Sequence, residues 1–295
     1  MPWYGSGMTN VDRNPFRQNL LEGRTLLITG GGTGLGHSMA LKCAGLGAKV
    51  AVVGRREDPL KTTVAEIEKA GGKAAYASCD VRDSGSVKAA FDTIEGSLGP
   101  INSLVNNAAG NFLCASEDLS DNAFDSVVKI VMYGTFNCTR ELGQRLIARK
   151  AEGHVLSIVT SYAMTGSAFV LPSAAAKAGV LMMMRSLAVE WATYGIRLNA
   201  IAPGPFKTEG AFSRLMVGEL EKQALKRVPS RRFGDHDELT NLVAYMFSDA
   251  SPYQTGDMVT IDGAEGLFSG QQFSGFAHID RASAKEMMSA IKPKK

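Results

Sequence analysis

Short apolar runs alternate along this chain with longer segments in which apolar residues recur every three to four positions. Thr25 to Ile28, Lys49 to Val53, Lys73 to Ser78, Ile101 to Val105, His154 to Thr160, Ile196 to Ile201 and Met258 to Ile261 are of the first kind. Several, such as KVAVV at Lys49 to Val53, are apolar on both alternating faces, the mark of a strand covered from both sides. His37 to Leu46, Pro59 to Ala70, Ser84 to Leu98, Ser120 to Ala148, Pro172 to Tyr194 and Asp235 to Asp249 follow the helical period. Pro59 at the start of one helix and Gly71-Gly72 at its end fit the usual punctuation. Seven strands with helices between them predict an α/β fold: a doubly wound, seven-stranded parallel sheet in a single domain, with right-handed crossovers and one crevice at the strand ends. Residues 1–23 read as an N-terminal arm, 24–265 as the domain and 266–295 as a C-terminal tail. Loop and short helix at about 206–232 suggest a lid.

Composition narrows the classes. A hydrophobic content of 45% over 295 residues supports a large core, and a net charge of +3 without internal like-charge clusters gives no reason to expect nucleic acid. No apolar stretch reaches the roughly 18 residues that span a bilayer, so membrane insertion is not expected. The four cysteines, Cys43, Cys79, Cys114 and Cys138, are far apart with no CxxC pair and read as buried thiols, not metal ligands. The first residues lack the apolar core of a secretory signal and the last lack a peroxisomal tripeptide. A cytoplasmic location is expected, with a mitochondrial matrix as the alternative.

TGGGTGLG at Thr29 to Gly36 follows the first strand and opens the first helix. Glycines there let backbone N–H groups close on a diphosphate at the positive end of the helix, so this is a dinucleotide-binding (Rossmann) turn. Thr29, Gly30, Gly32, Thr33, Gly34, Leu35 and Gly36 are its cofactor-binding candidates. Arg55 and Arg56 end the second strand, where an acid would hold the adenosine ribose and a base accommodates a 2′-phosphate. They favour NADPH over NADH. Asp80, after the third strand, could accept from the adenine amino group, with Asp83 or Ser84 the more natural cap of the next helix. Asn106 and Asn107 could tie neighbouring strands. Because the glycines read T-G-x-x-x-G-x-G, the chain resembles the short-chain dehydrogenase/reductase family.

Relatives that reduce carbonyls carry Tyr-x-x-x-Lys on the helix after the fifth strand, where the lysine holds the nicotinamide ribose and lowers the phenol's pKa. Here that window is Ser173 to Lys177, so the lysine is present and the tyrosine is not. A serine hydroxyl is too weak an acid to take its place. Tyr162, just beyond the fifth strand, offers the phenol from the other side, and Asn111 supplies an amide on the same crevice edge. Two donors aimed at one oxygen make an oxyanion hole. Val131 or Met132 stands where many relatives have an asparagine, which argues against a lysine-water-asparagine proton relay.

The combination of Asn111, Tyr162, Ser173 and Lys177, together with Cys79 to Asp83, Asn106 to Phe112, Pro203-Gly204-Pro205 and Gly210 to Arg214, resembles the NADPH-dependent 2,4-dienoyl-CoA reductases of the mitochondrial type. Peroxisomal members lack a tyrosine at the place of Tyr162. The resemblance implies reduction of a 2,4-dienoyl-CoA to a 3-enoyl-CoA in the β-oxidation of unsaturated fatty acids. It implies that Tyr162 and Asn111 hold the dienolate oxygen, that Lys177 holds the ribose, and that Ser173 orders the network. Pro203, Gly204, Pro205 and Phe206 would surround the nicotinamide, and Arg82, Phe112, Ser120 and Arg214 would contact the acyl-CoA substrate. It also implies a homotetramer, in keeping with the apolar surface of the long helices Ser120 to Ala148 and Pro172 to Tyr194. A 3-oxoacyl or other carbonyl reductase and a non-catalytic nucleotide-binding protein are the alternatives.

Overall fold

The computed structural model describes residues 16–208, 219–268 and 279–290. Its seven strands are β1 (Thr25–Thr29), β2 (Lys49–Gly54), β3 (Lys73–Ser78), β4 (Ser103–Asn106), β5 (Gly153–Ile158), β6 (Ile196–Pro203) and β7 (Met258–Ile261). They form one sheet in the order β3-β2-β1-β4-β5-β6-β7, and every pairing is parallel. The expected doubly wound sheet is therefore what the chain builds. Its order reverses between β1 and β4, and the crevice outside the carboxyl ends of these strands is where such folds bind ligands.

Helices cover both faces. α1 (Gly34–Gly45), α2 (Glu57–Lys69) and α9 (His236–Phe247) lie on one side, where Met39, Cys43, Leu60, Ile67, Leu239 and Phe247 pack on Leu26, Ile28, Val50 and Val52. α3 (Ser84–Leu98), α5 (Gly134–Arg149) and α7 (Leu171–Trp191) cover the other through Phe91, Ile94, Leu142, Leu146, Val180 and Met184. The remaining α-helices among the described residues are α4 (Asp121–Val128), α6 (Tyr162–Thr165), α8 (Glu219–Arg227), α10 (Glu265–Phe268) and α11 (Arg281–Ala290).

Several expected boundaries move. The helix expected from Ser120 to Ala148 is two, α4 and α5, joined by a wide π turn at Lys129–Tyr133. Tertiary contact accounts for the break. A Cβ at Gly134 would lie 2.6 Å from Val81 Cγ2, and Asn137 Nδ2 donates to the Val81 carbonyl at 2.9 Å, so α5 is drawn against the loop after β3. α1 opens three residues before His37, and β6 continues to Pro203. The tail carries α10 and α11, which no periodicity announced. Three cysteines are buried as expected, but Cys114 is only half-buried. Burial pushes the Cys43 thiol up to about 12 and the Cys79 thiol up to about 11, so both are poor nucleophiles. Of the expected lid, residues 209–218 lie outside the described residues, as do 1–15 of the arm. The rest is loop with α8, as expected.

Candidate active site

The glycine turn is fastened to the loop after β4. Thr29 Oγ1 accepts the N–H groups of Asn107 and Ala108, each at 2.9 Å, and donates to the Val105 carbonyl at 3.3 Å. Asn107 Nδ2 donates back to the Thr29 and Gly30 carbonyls. Gly30 and Gly34 have φ of +66° and +56°, the left-handed region that other residues avoid. At Gly36 a Cβ would stand 2.3 Å from the Gly30 carbonyl oxygen, so nothing larger fits. Thr33 caps α1 without a side-chain hydrogen bond, and no acid lies in the first turn. By contrast Asp83 caps α3 through the Gly85 N–H and Ser120 caps α4 through the Ala123 N–H. The leading amides of α1 thus stay open to an anion, and this cradle fits a dinucleotide diphosphate. Gly32, Thr33 and Leu35 lie on that turn. Arg55 and Arg56 are exposed at the end of β2, next to it.

Across the crevice, Pro203 ends β6 and Gly204 donates to the Ile261 carbonyl of β7 at 3.0 Å. Pro205 accepts from Gly234, and the buried Phe206 forms a bridge with Gly234. These four residues therefore form one edge of the crevice at the β6 and β7 ends.

The candidate catalytic residues converge between these two edges. Tyr162 opens α6 just beyond β5, and its hydroxyl lies 3.1 Å from Ser173 Oγ. Asn111 Nδ2 donates to the same phenol oxygen at 3.4 Å, while Asn111 Oδ1 accepts the Phe112 N–H at 2.9 Å. That second bond fixes the amide with its N–H side toward Tyr162. Ser173 and Lys177 are both buried, one turn apart on α7. Lys177 donates to the Ile158 carbonyl at the end of β5, and burial draws its ammonium down to about 8. The phenol oxygen thus has Asn111 as a donor and the Ser173 hydroxyl as a second hydrogen-bond partner.

Asp80 and Arg82, expected to meet different ligands, hold each other. Arg82 Nε donates to Asp80 Oδ1 at 2.9 Å and to Oδ2 at 3.0 Å, and this pairing holds the Asp80 carboxyl below the usual carboxylate range. Any ligand of either group competes with that pair. Asp83, not Asp80, is the helix cap, as expected. Phe112 packs partly buried on the core, Ser120 Oγ is occupied as a cap, and Arg214 lies outside the described residues. In the π turn Val131 is buried, and Met132 lies against Gly179 of α7, so neither can carry a proton. The reading of Asn106 and Asn107 as ties holds: Asn106 Nδ2 donates to Thr139 and Ser157, crossing from β4 to α5 and β5. Asn137, which ties α5 to the loop after β3, and His236, which bonds Ser38 and the Lys207 carbonyl, had no motif to mark them. Among the described residues no group of His, Cys, Asp or Glu could hold a metal ion, and no helix is long and apolar enough to cross a membrane.

Sheet order, glycine cradle and the hydroxyl-amide-lysine cluster define a nicotinamide-dependent oxidoreductase of the Rossmann type. The chain belongs to the short-chain dehydrogenase/reductase family. Residues 30–264 match the family model described as enoyl-(acyl carrier protein) reductase. An uncharacterized oxidoreductase of Caenorhabditis elegans is 47% identical over 88% of this chain and 84% of its own. A probable (3E)-enoyl-CoA-producing 2,4-dienoyl-CoA reductase of the same organism is 43% identical over 89% of this chain and 87% of its own. A probable (2E)-enoyl-CoA-producing 2,4-dienoyl-CoA reductase of Bacillus subtilis is 40% identical over 84% and 98%. Among solved structures, a short chain dehydrogenase from Bacillus anthracis superposes with a TM-score of 0.77 at 38% identity, covering 85% of this chain and 98% of that one. A gluconate 5-dehydrogenase from Burkholderia cenocepacia, in complex with NADP and tartrate, gives 0.80 at 30% identity over 85% and 98%.

Proposed function

We propose that the protein reduces 2,4-dienoyl-CoA thioesters to 3-enoyl-CoA with NADPH, in the β-oxidation of unsaturated fatty acids. The observation that carries this is the Tyr162 hydroxyl, 3.1 Å from Ser173 Oγ and 3.4 Å from Asn111 Nδ2. A phenol and an amide brought together from the loops after β5 and β4 suit an oxygen at the end of a conjugated system. A carbonyl reductase of this family would need its phenol on α7, where Ser173 stands. Relatives named 2,4-dienoyl-CoA reductases support the same substrate class.

When bound, NADPH supplies a hydride. The Thr29–Gly36 turn would hold its diphosphate, Arg55 and Arg56 its 2′-phosphate, Lys177 its nicotinamide ribose, and Pro203 to Phe206 its nicotinamide. Hydride addition to the δ carbon of the diene moves an electron pair onto the thioester oxygen. Tyr162 and Asn111 donate to that oxygen, a stabilisation of the kind worth most in catalysis. Ser173 keeps the phenol oriented. Protonation of the dienolate at the α carbon gives the 3-enoyl product, and protonation at the γ carbon would give the 2-enoyl product instead. Apolar side chains exposed on the helical wall, Tyr133, Phe136, Met182 and Val189, support a homotetramer built through this face.

The test is NADPH oxidation with a 2,4-dienoyl-CoA, with a 3-oxoacyl-CoA and with neither, run in D2O so that the product reports where the proton entered. Turnover of the dienoyl substrate with deuterium at the α carbon is the expected result. Turnover of the oxo substrate alone would return the protein to the carbonyl reductases, and deuterium at the γ carbon would reassign the product.

A further inference from the structure

His236, the first residue of α9, is bonded to both walls of the cofactor crevice. Its Nε2 lies 2.7 Å from the Lys207 carbonyl oxygen. Its Nδ1 lies 2.6 Å from Ser38 Oγ on α1, and that hydroxyl is also 3.3 Å from the Gly34 carbonyl oxygen. A carbonyl can only accept, so Nε2 carries a proton toward Lys207, and the Ser38 hydroxyl lies between Nδ1 and the Gly34 carbonyl. One ring thereby joins the helix that opens at the diphosphate turn to the segment that continues the nicotinamide edge.

The ring has rigid supports. α9 packs on α1 through Leu239, Val243 and Phe247 against Met39 and Cys43, and a capping box between Asp235 and Glu238 fixes its first turn. Lys207 is held on its far side as well, with Nζ 2.7 Å from Glu221 of α8 and 5.4 Å over the Phe233 ring. Thr208, the next residue, already reaches the turn: a Cβ at Gly34 would lie 3.4 Å from its methyl group. A dinucleotide must span from Gly34 to Pro203 to Phe206, so the separation of these two segments sets how well both of its ends fit at once.

We propose that His236 is a positioning residue for the dinucleotide, fixing through Ser38 and Lys207 the spacing between the diphosphate turn and the nicotinamide edge. In this role it acts through the backbone of Lys207 and the first turns of α1. The inference rests on the reading of this crevice as a nicotinamide dinucleotide site and not on the identity of the acyl substrate.

The experiment is a fluorescence titration of cofactor-free enzyme with NADPH and, in parallel, with NADH, in the absence of any acyl-CoA. Variants are His236→Phe, which keeps a ring and removes both bonds, His236→Gln, which can restore a donor and an acceptor, Ser38→Ala, and the double variant His236→Phe/Ser38→Ala. Two ordinary hydrogen bonds are at stake, so His236→Phe should weaken the better-bound cofactor about tenfold, and His236→Gln should recover most of that loss. Ser38→Ala should weaken binding about threefold, and the double variant should be no weaker than His236→Phe, because both act through one bridge. Unchanged affinity in His236→Phe, equal losses in the Phe and Gln variants, or additive losses with Ser38→Ala would overturn the assignment. Should His236→Phe not fold, Ser38→Ala against His236→Gln carries the same decision. A wild-type protein that bound neither dinucleotide would overturn the reading beneath it, a result distinct from wild-type binding that the variants leave untouched.

Discussion

Arg145 and Lys177 are both cations drawn into the helical layer beside the sheet, and their surroundings differ in kind. Arg145, on α5, is met by Asp92 at 2.6 Å, Glu95 at 2.8 Å and Glu141 at 2.7 Å. Burial alone would pull its guanidinium down, and the three carboxylates more than reverse this. Lys177, on α7, donates to the Ile158 carbonyl, and no carboxylate among the described residues bonds to it, so burial lowers it to about 8. Arg145 is a solved electrostatic problem that fastens α3 to α5. Lys177 keeps its charge uncompensated in a crevice, which is the state in which a lysine can still serve a ligand. Changes at one should therefore move stability, and changes around the other should move reaction.

The largest effect is expected at the reacting end of the Lys177 region. Tyr162→Phe keeps the ring and removes one donor, so turnover of the dienoyl-CoA should fall about a hundred- to a thousandfold, roughly 3–4 kcal/mol, while NADPH affinity stays nearly constant. Ser173→Ala should cost less, since Ser173 orders the phenol. Steady-state kinetics of the pair decides it: a near-normal Tyr162→Phe beside a dead Ser173→Ala would put the acid on α7.

Next comes Arg145→Met, which leaves Glu141 without its cation and Glu95 with Arg149 alone. Breaking such a partly buried network should cost about 2–4 kcal/mol of stability, the exposed Asp92 arm counting least. Turnover per folded molecule should be unchanged. Urea unfolding and active-site-normalised rates check the two halves, and a loss of turnover with intact stability would erase the contrast with Lys177.

Lys177→Met should do the reverse. The native ammonium titrates near 8 and the unfolded one near 10.5, so below pH 8 both states hold the proton and the native state carries the full cost of burying it. Between these values the unfolded chain binds more protons, and wild-type stability rises with pH. The variant should thus be more stable than wild type by about 2 kcal/mol at pH 7, after subtracting the lost bond to Ile158, and the gain should vanish by about pH 10.5. Denaturant midpoints of the two proteins at pH 7, 9 and 10.5 measure it. A gain that did not shrink with pH would mean that the charge was never the cost.

The smallest effect is expected at Arg55. Arg55→Asp should weaken NADPH relative to NADH by about 1–2 kcal/mol, limited by the exposure of this strand end. Equal wild-type affinity for both cofactors, read by titration, would remove the basis for the preference.

Much of this was legible in the sequence because the deciding interactions are local. Strand β1, the glycine turn and the start of α1 are consecutive, and Ser173 and Lys177 fall on one helical face by their spacing alone. Tyr162 stood out as a candidate because α7 carries Ser173 where carbonyl-reducing relatives carry a phenol. The break between α4 and α5 was not, since a π turn preserves the apolar pattern and its cause, the approach of Gly134 and Asn137 to Val81, is a contact across some fifty positions. Asp80 and Arg82 read as two separate ligands of two molecules, while in space they are one ion pair. His236 carries no motif at all; only the fold brings Ser38 and Lys207 to its two nitrogens.

The position of β1 at the reversal of strand order also bears on how the chain is made. Leu26, Leu27 and Ile28 pair on one side with β2, which follows within some thirty residues, and on the other with Ser103, Leu104 and Val105. A ribosome delivers β1, β2 and β3 long before β4, so for that interval the nascent chain carries an apolar strand with one edge unpaired. The same strand that anchors the glycine turn in the finished protein thus waits with one edge open during synthesis, until β4 pairs with it and Asn107 bonds the Thr29 and Gly30 carbonyls.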